Sequence, residues 1–294
     1  MDVLFPRTLD QALEMKAERP EVVPIAGGTD LMVELNFGRL RPPAMMEISR
    51  LRELAEFRRE DGFFFLGAGV TYMTIERDLT ELTALVQASR TVGSPQIRNR
   101  ATVGGNLGTA SPAGDALPVL AAFDAEIVLT SASEGTRSLP WNDFLTGPKK
   151  NALQPGELIL GTRWRVPRGP GSFSKIGPRN AMVISVAGVC LQMDEDERTV
   201  RVALGSVAPT IVRASEAEEF AARALDDAGA WDDPGAPVPS ATVEEFGERV
   251  AAAARPIDDV RGTAAYRRHA VMVVARRAFS WALMDRAAGT LAES

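Results

Sequence analysis

Two glycine-rich segments in the first half of the chain constrain its fold more than any other feature. They are AGGTDL, Ala26 to Leu31, and TVGGNLGTASPAGDALP, Thr102 to Pro118. Consecutive glycines reach backbone conformations closed to other residues. They let several N–H groups turn toward one point and let an anion approach the main chain. Thr29, Thr102, Thr109 and Ser111 add hydroxyl donors without bulk, and Asn106 and Asp115 add directional polar groups. Neither segment contains Lys or Arg, so the composition suits a diphosphate held by main chain and hydroxyls. Each segment taken alone also reads as a β-turn, because glycine marks turns generally. Two of them in one domain, the second extended and with little bulk, shift the reading toward a cofactor. If the backbone at Gly28 and Gly105 approaches a diphosphate, a Cβ there is expected either to clash with it or to forbid the φ required. GAGVTY, Gly67 to Tyr72, begins like a dinucleotide-binding glycine turn, but its third glycine position holds Tyr72 and it reads as a strand end.

The elements around these segments mix α and β. A T-x-x-Q capping box at Thr8 and Gln11 opens a helix over Thr8 to Arg19. Val22 to Gly28 reads as a buried strand running into the first glycine turn, and Asp30 to Phe37 as a short helix. Met45 to Ser49, Phe63 to Val70 and Asp124 to Ala132 read as strands, with helical spacing over Thr74 to Ala88. A boundary falls near residues 167–172, where PRGPGS packs Pro and Gly together. Beyond it SFSKI, MVISVAGVCLQM and RTVRVALGSVA read as three strands with plausible antiparallel pairing. Helices follow at Ala214 to Ala228, at Val243 to Arg255 behind a Thr242/Glu245 capping box, and at Thr263 to Ala288. A chain of 294 residues has room for two domains or one large one.

Composition excludes several function classes. A hydrophobic fraction of 45% with 24% charged residues rules out a disordered or fibrous chain. The 39 acids outnumber the 33 bases, giving net charge −6, so a basic footprint for nucleic acid is absent. One cysteine, Cys190, and one histidine, His269, cannot build a zinc site, an iron–sulfur cluster or an internal disulfide. Cys190 lies in an apolar strand pattern and reads as buried and inert; His269 lies on an Arg-rich helix and reads as a surface or packing residue. No Walker A motif occurs. The longest apolar stretch, from Ala181, is too short to span a membrane, and the N-terminal MDVLFPRTLDQALEM shows no signal-peptide pattern, so a cytoplasmic protein is expected.

AGGTDL, ATVGGNLGTASPAGDALPVL, SKIGPRNAM and PIDDVRGTAAYRRHAVMVVARRA together resemble the FAD-binding medium subunit of the molybdenum hydroxylases. That family includes carbon monoxide, xanthine, nicotine and aldehyde dehydrogenases. The resemblance covers essentially the whole chain in the same motif order. The glycine motifs are shared with the wider FAD fold, whereas DDVRG…YRRH is more specific to the medium subunits.

The resemblance implies an α+β fold. It has a two-subdomain FAD-binding domain of the vanillyl-alcohol-oxidase/CO-dehydrogenase flavoprotein type over residues 1–168, with subdomains about 1–53 and 54–168. A C-terminal α+β domain follows over 169–294, and FAD lies between the two subdomains. Ile25, Ala26, Gly27, Gly28, Thr29, Asp30 and Leu31, with Thr102, Val103, Gly104, Gly105 and Asn106, are implied to wrap the diphosphate, and Ser111 belongs to the same site. Asp115 is implied to hold the adenosine side, where its carboxylate would accept hydrogen bonds, and Val92 to touch the adenine half. Ser185 stands where some members carry a lysine near the flavin ring. Lys175 is the candidate substitute, against its reading as a solvated strand residue. Asp258 and Asp259 read as caps or partners of Arg261.

The FAD is expected to be non-covalent, because residues 1–168 contain neither His nor Cys. The implied function is electron transfer. A large molybdopterin subunit acts on the substrate, a small subunit with two [2Fe–2S] clusters relays electrons, and FAD hands them to an external acceptor. The implied assembly is a dimer of heterotrimers, a heterohexamer. The competing reading is a self-contained FAD-dependent oxidase or reductase of the same fold.

Overall fold

In the computed structural model the chain divides into two compact units, one of Met1–Thr80, Val92–Ser111 and Asp124–Arg165, the other of Glu81–Thr91, Pro112–Phe123 and Val166 onward. The structure describes residues 1–293, and side chains through residue 288.

The first unit holds two principal sheets. Asp2–Leu4, Ala44–Glu47 and Val23–Ile25 form a parallel sheet in that order. Parallel neighbours need crossovers, and the helices Leu9–Glu18 and Leu31–Asn36 lie in them. The Thr8 side chain accepts from the Gln11 N–H at 3.2 Å, as the capping box predicts, while Gln11 Oε1 accepts from the N–H of Arg7 instead of Thr8. Ala12, Leu13, Val22, Ala44, Met46, Leu51 and Leu54 form the core beneath.

The second sheet is antiparallel, in the order Phe57–Glu60, Phe63–Gly67, Leu158–Arg165, Glu126–Ser131, Gly135–Pro140. Its first hairpin turns on Asp61 and Gly62, both at positive φ, the geometry that matches strand twist in a two-residue loop. Period-two alternation buries Phe64 against Trp164, with ring centroids 5.1 Å apart, and leaves Phe63 outside.

The second unit is built on an antiparallel sheet of Gly171–Ile176, Ala187–Asp194, Thr199–Gly205 and Val212–Arg213. Every residue of Ala187–Asp194 is buried, which is why Ala187–Leu191 runs apolar without alternation. Val189, Leu191, Val202 and Leu204 share a core with Phe246, Val250, Val271 and Phe279 from the helices Ser240–Ala253 and Ala264–Glu293. Helices Thr83–Thr91 and Ala116–Ala122, from the first half of the chain, also pack on this sheet. Among the described residues no helix is long and apolar enough to cross a membrane.

Three local expectations change. Thr74 to Ala88 is two helices, Tyr72–Asp78 and Thr83–Thr91, because the chain passes from one unit to the other between Thr80 and Glu81 and its apolar spacing serves two cores. MVISV does not extend the following strand. Residues 178–182 are exposed, Met182 sits at φ 52°, and pairing begins at Ala187. The Thr242/Glu245 capping box does not form. The helix starts at Ser240 behind Pro239, and Glu245 pairs with Arg249 at 2.7 Å.

Candidate functional site

The two glycine segments come together in the first unit. Gly27 lies so close to the 100–101 backbone that a Cβ on it would fall 1.9 Å from the Arg100 carbonyl oxygen. Gly28 adopts φ 73°, a conformation that L side chains rarely take. Asp30 occupies the N-cap position of helix Leu31–Asn36 without capping it. Its carboxylate accepts instead from the Thr109 hydroxyl of the second segment at 3.1 Å. Among the described residues the N–H groups of Ala26, Gly27, Gly28, Thr29 and Asp30 donate to no protein acceptor. Five unengaged donors on one short, glycine-shaped loop are a ready anion contact.

The second segment is built differently. It is a helix, Val103–Thr109, whose N-cap Thr102 accepts from the Gly105 N–H at 3.0 Å. The N–H groups of Val103, Gly104 and Asn106 donate to the carbonyls of Val70, Ala68 and Thr102. Gly104 is a packing glycine: a Cβ there would lie 2.5 Å from Ala68 Cβ. Gly105 is set by neither a close contact with backbone nor a left-handed φ within the chain. Its φ is not positive, and a Cβ would meet only Thr102 Oγ1, at 3.2 Å. What this helix leaves open is the exposed backbone at Gly105 and Gly108, together with Asn106 Oδ1, which is buried without a partner. Such an orphaned acceptor calls for a donor from outside the chain.

The second unit carries another orphan. Asp115 is 7% exposed and precedes helix Ala116–Ala122, whose N-terminus it does not cap. Its Oδ2 accepts from Lys175 Nζ at 2.6 Å and lies 3.0 Å from Thr91 Oγ1. Its Oδ1 is buried without a partner. Burial pushes the carboxyl above its ordinary value, and the Lys175 ammonium and the Thr91 hydroxyl pull the other way. Lys175 also donates to the Thr91 carbonyl at 3.0 Å, at the C-terminus of helix Thr83–Thr91, where the helix dipole favours a cation. The reading of Lys175 as a solvated strand residue is therefore wrong: its side chain is 7% exposed. Strand alternation showed nothing of this, because the partners come from helices 60 and 84 residues away in sequence.

Residues 1–168 match the FAD-binding domain of molybdopterin dehydrogenases, and residues 172–282 match the CO dehydrogenase flavoprotein C-terminal domain. The chain belongs to the FAD-binding subunits of the molybdopterin dehydrogenases. It is 36% identical to the nicotinate dehydrogenase FAD-subunit of Eubacterium barkeri over 205 residues, 66% of this chain and 69% of that one. It is 30% identical to the xanthine dehydrogenase FAD-binding subunit of Escherichia coli O157:H7 over 288 residues, 94% of each. The fold is that of a chain of quinoline 2-oxidoreductase from Pseudomonas putida 86, with a TM-score of 0.85 at 23% identity over 98% of both. The protein is thus an FAD-binding oxidoreductase subunit of α+β architecture.

The residues present fit FAD. Unengaged N–H groups on the 26–30 loop of the first unit suit its diphosphate. The remaining candidates lie as follows. Ile25 ends its strand, Leu31 begins its helix, and Ser111 is half-buried. Val92 is half-buried, and its carbonyl accepts from Arg98 at 3.4 Å. Ser185 is 2% exposed with its hydroxyl unpartnered. Thr91 was missed altogether, since one threonine at a helix end carries no sequence signal. Cys190 is buried, and burial pushes its thiol well above the ordinary range. His269 is exposed. Asp259 pairs with Arg261 and Arg267 at 2.6 Å each, and the Arg261 hydrogen bond holds its carboxyl well below the ordinary value. Arg267, buried, donates to the carbonyls of Val186 and Ser206, so DDVRG…YRRH organises the end of the second unit's sheet.

Proposed function

We propose that this chain is the electron-transfer flavoprotein of a molybdenum hydroxylase that also contains a large molybdopterin subunit and a small [2Fe–2S] subunit. The bound FAD supplies transfer of electrons from the partner's clusters to an external acceptor. The chain's own part is binding and orientation. The N–H groups of residues 26–30 hold the diphosphate. Ile25 and Leu31 frame that loop, and Thr102–Asn106 with Ser111 form the wall beside it, contributing the Asn106 side chain more than backbone donors. Asp115, ion-paired with Lys175, accepts from the adenosine half, Val92 lies against it, and Ser185 is the residue of this chain assigned near the flavin ring. The domain limits 1–168 and 169–294 and the doubled heterotrimer belong to the same reading, as does a cytoplasmic location.

The observation that carries it is the loop of five unengaged N–H groups in a chain of this family. FAD is non-covalent in this reading, because residues 1–168 offer no His or Cys for a covalent link. The test is to express the chain alone and with the products of its neighbouring genes. Alone it should carry FAD that acid precipitation releases intact, and should oxidise no hydroxylase substrate. With its partners it should support substrate-driven dye reduction. Turnover of an organic substrate by the single chain at roughly 1–10³ s⁻¹, a rate typical of enzymes, would replace this reading with a self-contained oxidase.

A further inference from the structure

We infer that helix Leu31–Asn36 and the turn that closes it form the docking surface for the small iron–sulfur subunit. The inference rests on the proposed assembly and names the part of this chain that receives the electron donor.

A helix normally hides its apolar stripe against its own core. Helix Leu31–Asn36 does not: Leu31, Met32, Val33 and Leu35 are apolar, and none of its residues is buried. Met32, Val33, Phe37 and Leu40 are all exposed, Phe37 at 70%. The Phe37 N–H bonds to the Val33 carbonyl at 3.0 Å, so these two side chains, four positions apart, share a face. Aromatic, Met and Arg side chains distinguish interfaces from ordinary surface, and an exposed group of them marks a contact.

The turn is preformed. Gly38, at φ 67°, ends the helix with its N–H on the Leu35 carbonyl at 3.0 Å, and the Arg39 N–H bonds to the Glu34 carbonyl at 2.9 Å. These are the two bonds of a Schellman motif. Lys149 holds the Glu34 carboxylate from outside the helix at 2.8 Å. A surface ordered in advance loses little freedom on binding.

Two observations choose the occupant. The first is position. The helix follows directly on the loop of unengaged N–H groups, and Met32 Cγ lies 3.3 Å from where a Cβ on Gly28 would stand. A subunit seated here lies against the segment that holds FAD, and the subunit that has to approach FAD is the one that delivers electrons. The second is charge. Arg39 and Arg41 are exposed on the turn, and the Arg39 guanidinium lies 5.0 Å over the Phe37 ring. A cluster held by cysteine thiolates makes its subunit anionic where the cluster sits, and this basic rim, on a chain of net charge −6, complements it.

The test uses the assembled complex. Asn36→Cys puts a thiol beside the apolar side chains and leaves them intact, and the chain's own Cys190 is buried. The purified chain is labelled there with a photoactivated cross-linker, combined with both partner subunits and irradiated, and the product is identified by mass. The expected product joins this chain to the iron–sulfur subunit. A product with the large subunit or with a second copy, or no product from an intact complex, would overturn the inference and leave the proposed assembly standing. Failure to form any complex would remove the assembly and the inference together. Phe37→Asp should weaken binding of the small subunit by about tenfold or more, the loss of an aromatic anchor, with FAD content and binding of the large subunit as in the parent. Unchanged affinity would overturn the inference. Should Phe37→Asp fail to fold, Arg41→Glu reverses a charge at an exposed position. It should weaken the same contact, and more at low salt than at high salt. Parental affinity at both salt concentrations would overturn the inference.

Discussion

The two glycine segments have nearly the same composition and opposite uses. In Ala26–Asp30 the glycines shape a loop whose N–H groups are left over. Gly27 lets the loop rest on the Arg100 carbonyl, and Gly28 supplies a left-handed φ of 73°. In Val103–Asn106 the N–H groups are already spent on Val70, Ala68 and Thr102, and Gly104 exists so that the helix can touch Ala68. A glycine cluster therefore says that backbone must come close to something. Whether that something is a ligand or the chain itself depends on whether its donors already have partners.

The largest effects should come from the two glycines in closest contact. Gly27→Ala and Gly104→Ala should each cost about 3 kcal/mol or more, the upper end for overpacking, read as urea midpoints of the apoprotein. In Gly104→Ala the molecules that do fold should keep full flavin. A folded Gly104→Ala protein without FAD would erase the distinction between the segments. Next is the pair Gly28→Ala and Gly105→Ala. The first forces a Cβ into the left-handed region, costing roughly 1–2 kcal/mol, and should lower FAD occupancy. The second sets a helix-propensity gain of up to about 1 kcal/mol against a Cβ 3.2 Å from the capping Thr102 Oγ1, so its stability should move by less than that of Gly28→Ala. Asn106→Ala should be milder still, weakening FAD by about three- to tenfold without unfolding; equal affinity would leave its buried oxygen without a ligand role.

The smallest effect concerns pH. The Lys149 ammonium, 2.8 Å from Glu34, holds that carboxyl below its ordinary value on the helix that follows the first loop. Because the shift is downward, its contribution is present above the ordinary glutamate range and is lost as pH falls through the lowered value. Lys149→Gln should slightly flatten the acid limb of the stability curve. An unchanged limb would mean that the exposed pair does not brace the loop.

Much of the fold was legible because period and punctuation act locally. The Thr8 cap, the Phe63–Gly67 strand and the antiparallel strands after PRGPGS follow from residues within a few positions of each other. The failures share a cause as well. The Thr242/Glu245 pattern lost to a helix already started at Ser240, and MVISV, apolar enough for a strand, had no neighbour to pair with. Helices Thr83–Thr91 and Ala116–Ala122 were invisible as members of the second unit, because the sequence shows periodicity but not which core it serves.

From sequence alone came the family likeness, the placement of the glycine segments, and the absence of His or Cys for a covalent flavin or a cluster. These are properties of residue type and order. The tertiary structure decided which glycine segment keeps its donors, that Asp115 has one bare oxygen, and that Lys175 is its partner. Hydrogen-bond satisfaction and burial are set by residues far apart in the chain. Lys175 and Asp115 are 60 positions apart, and only folding brings an ammonium within 2.6 Å of a buried carboxylate.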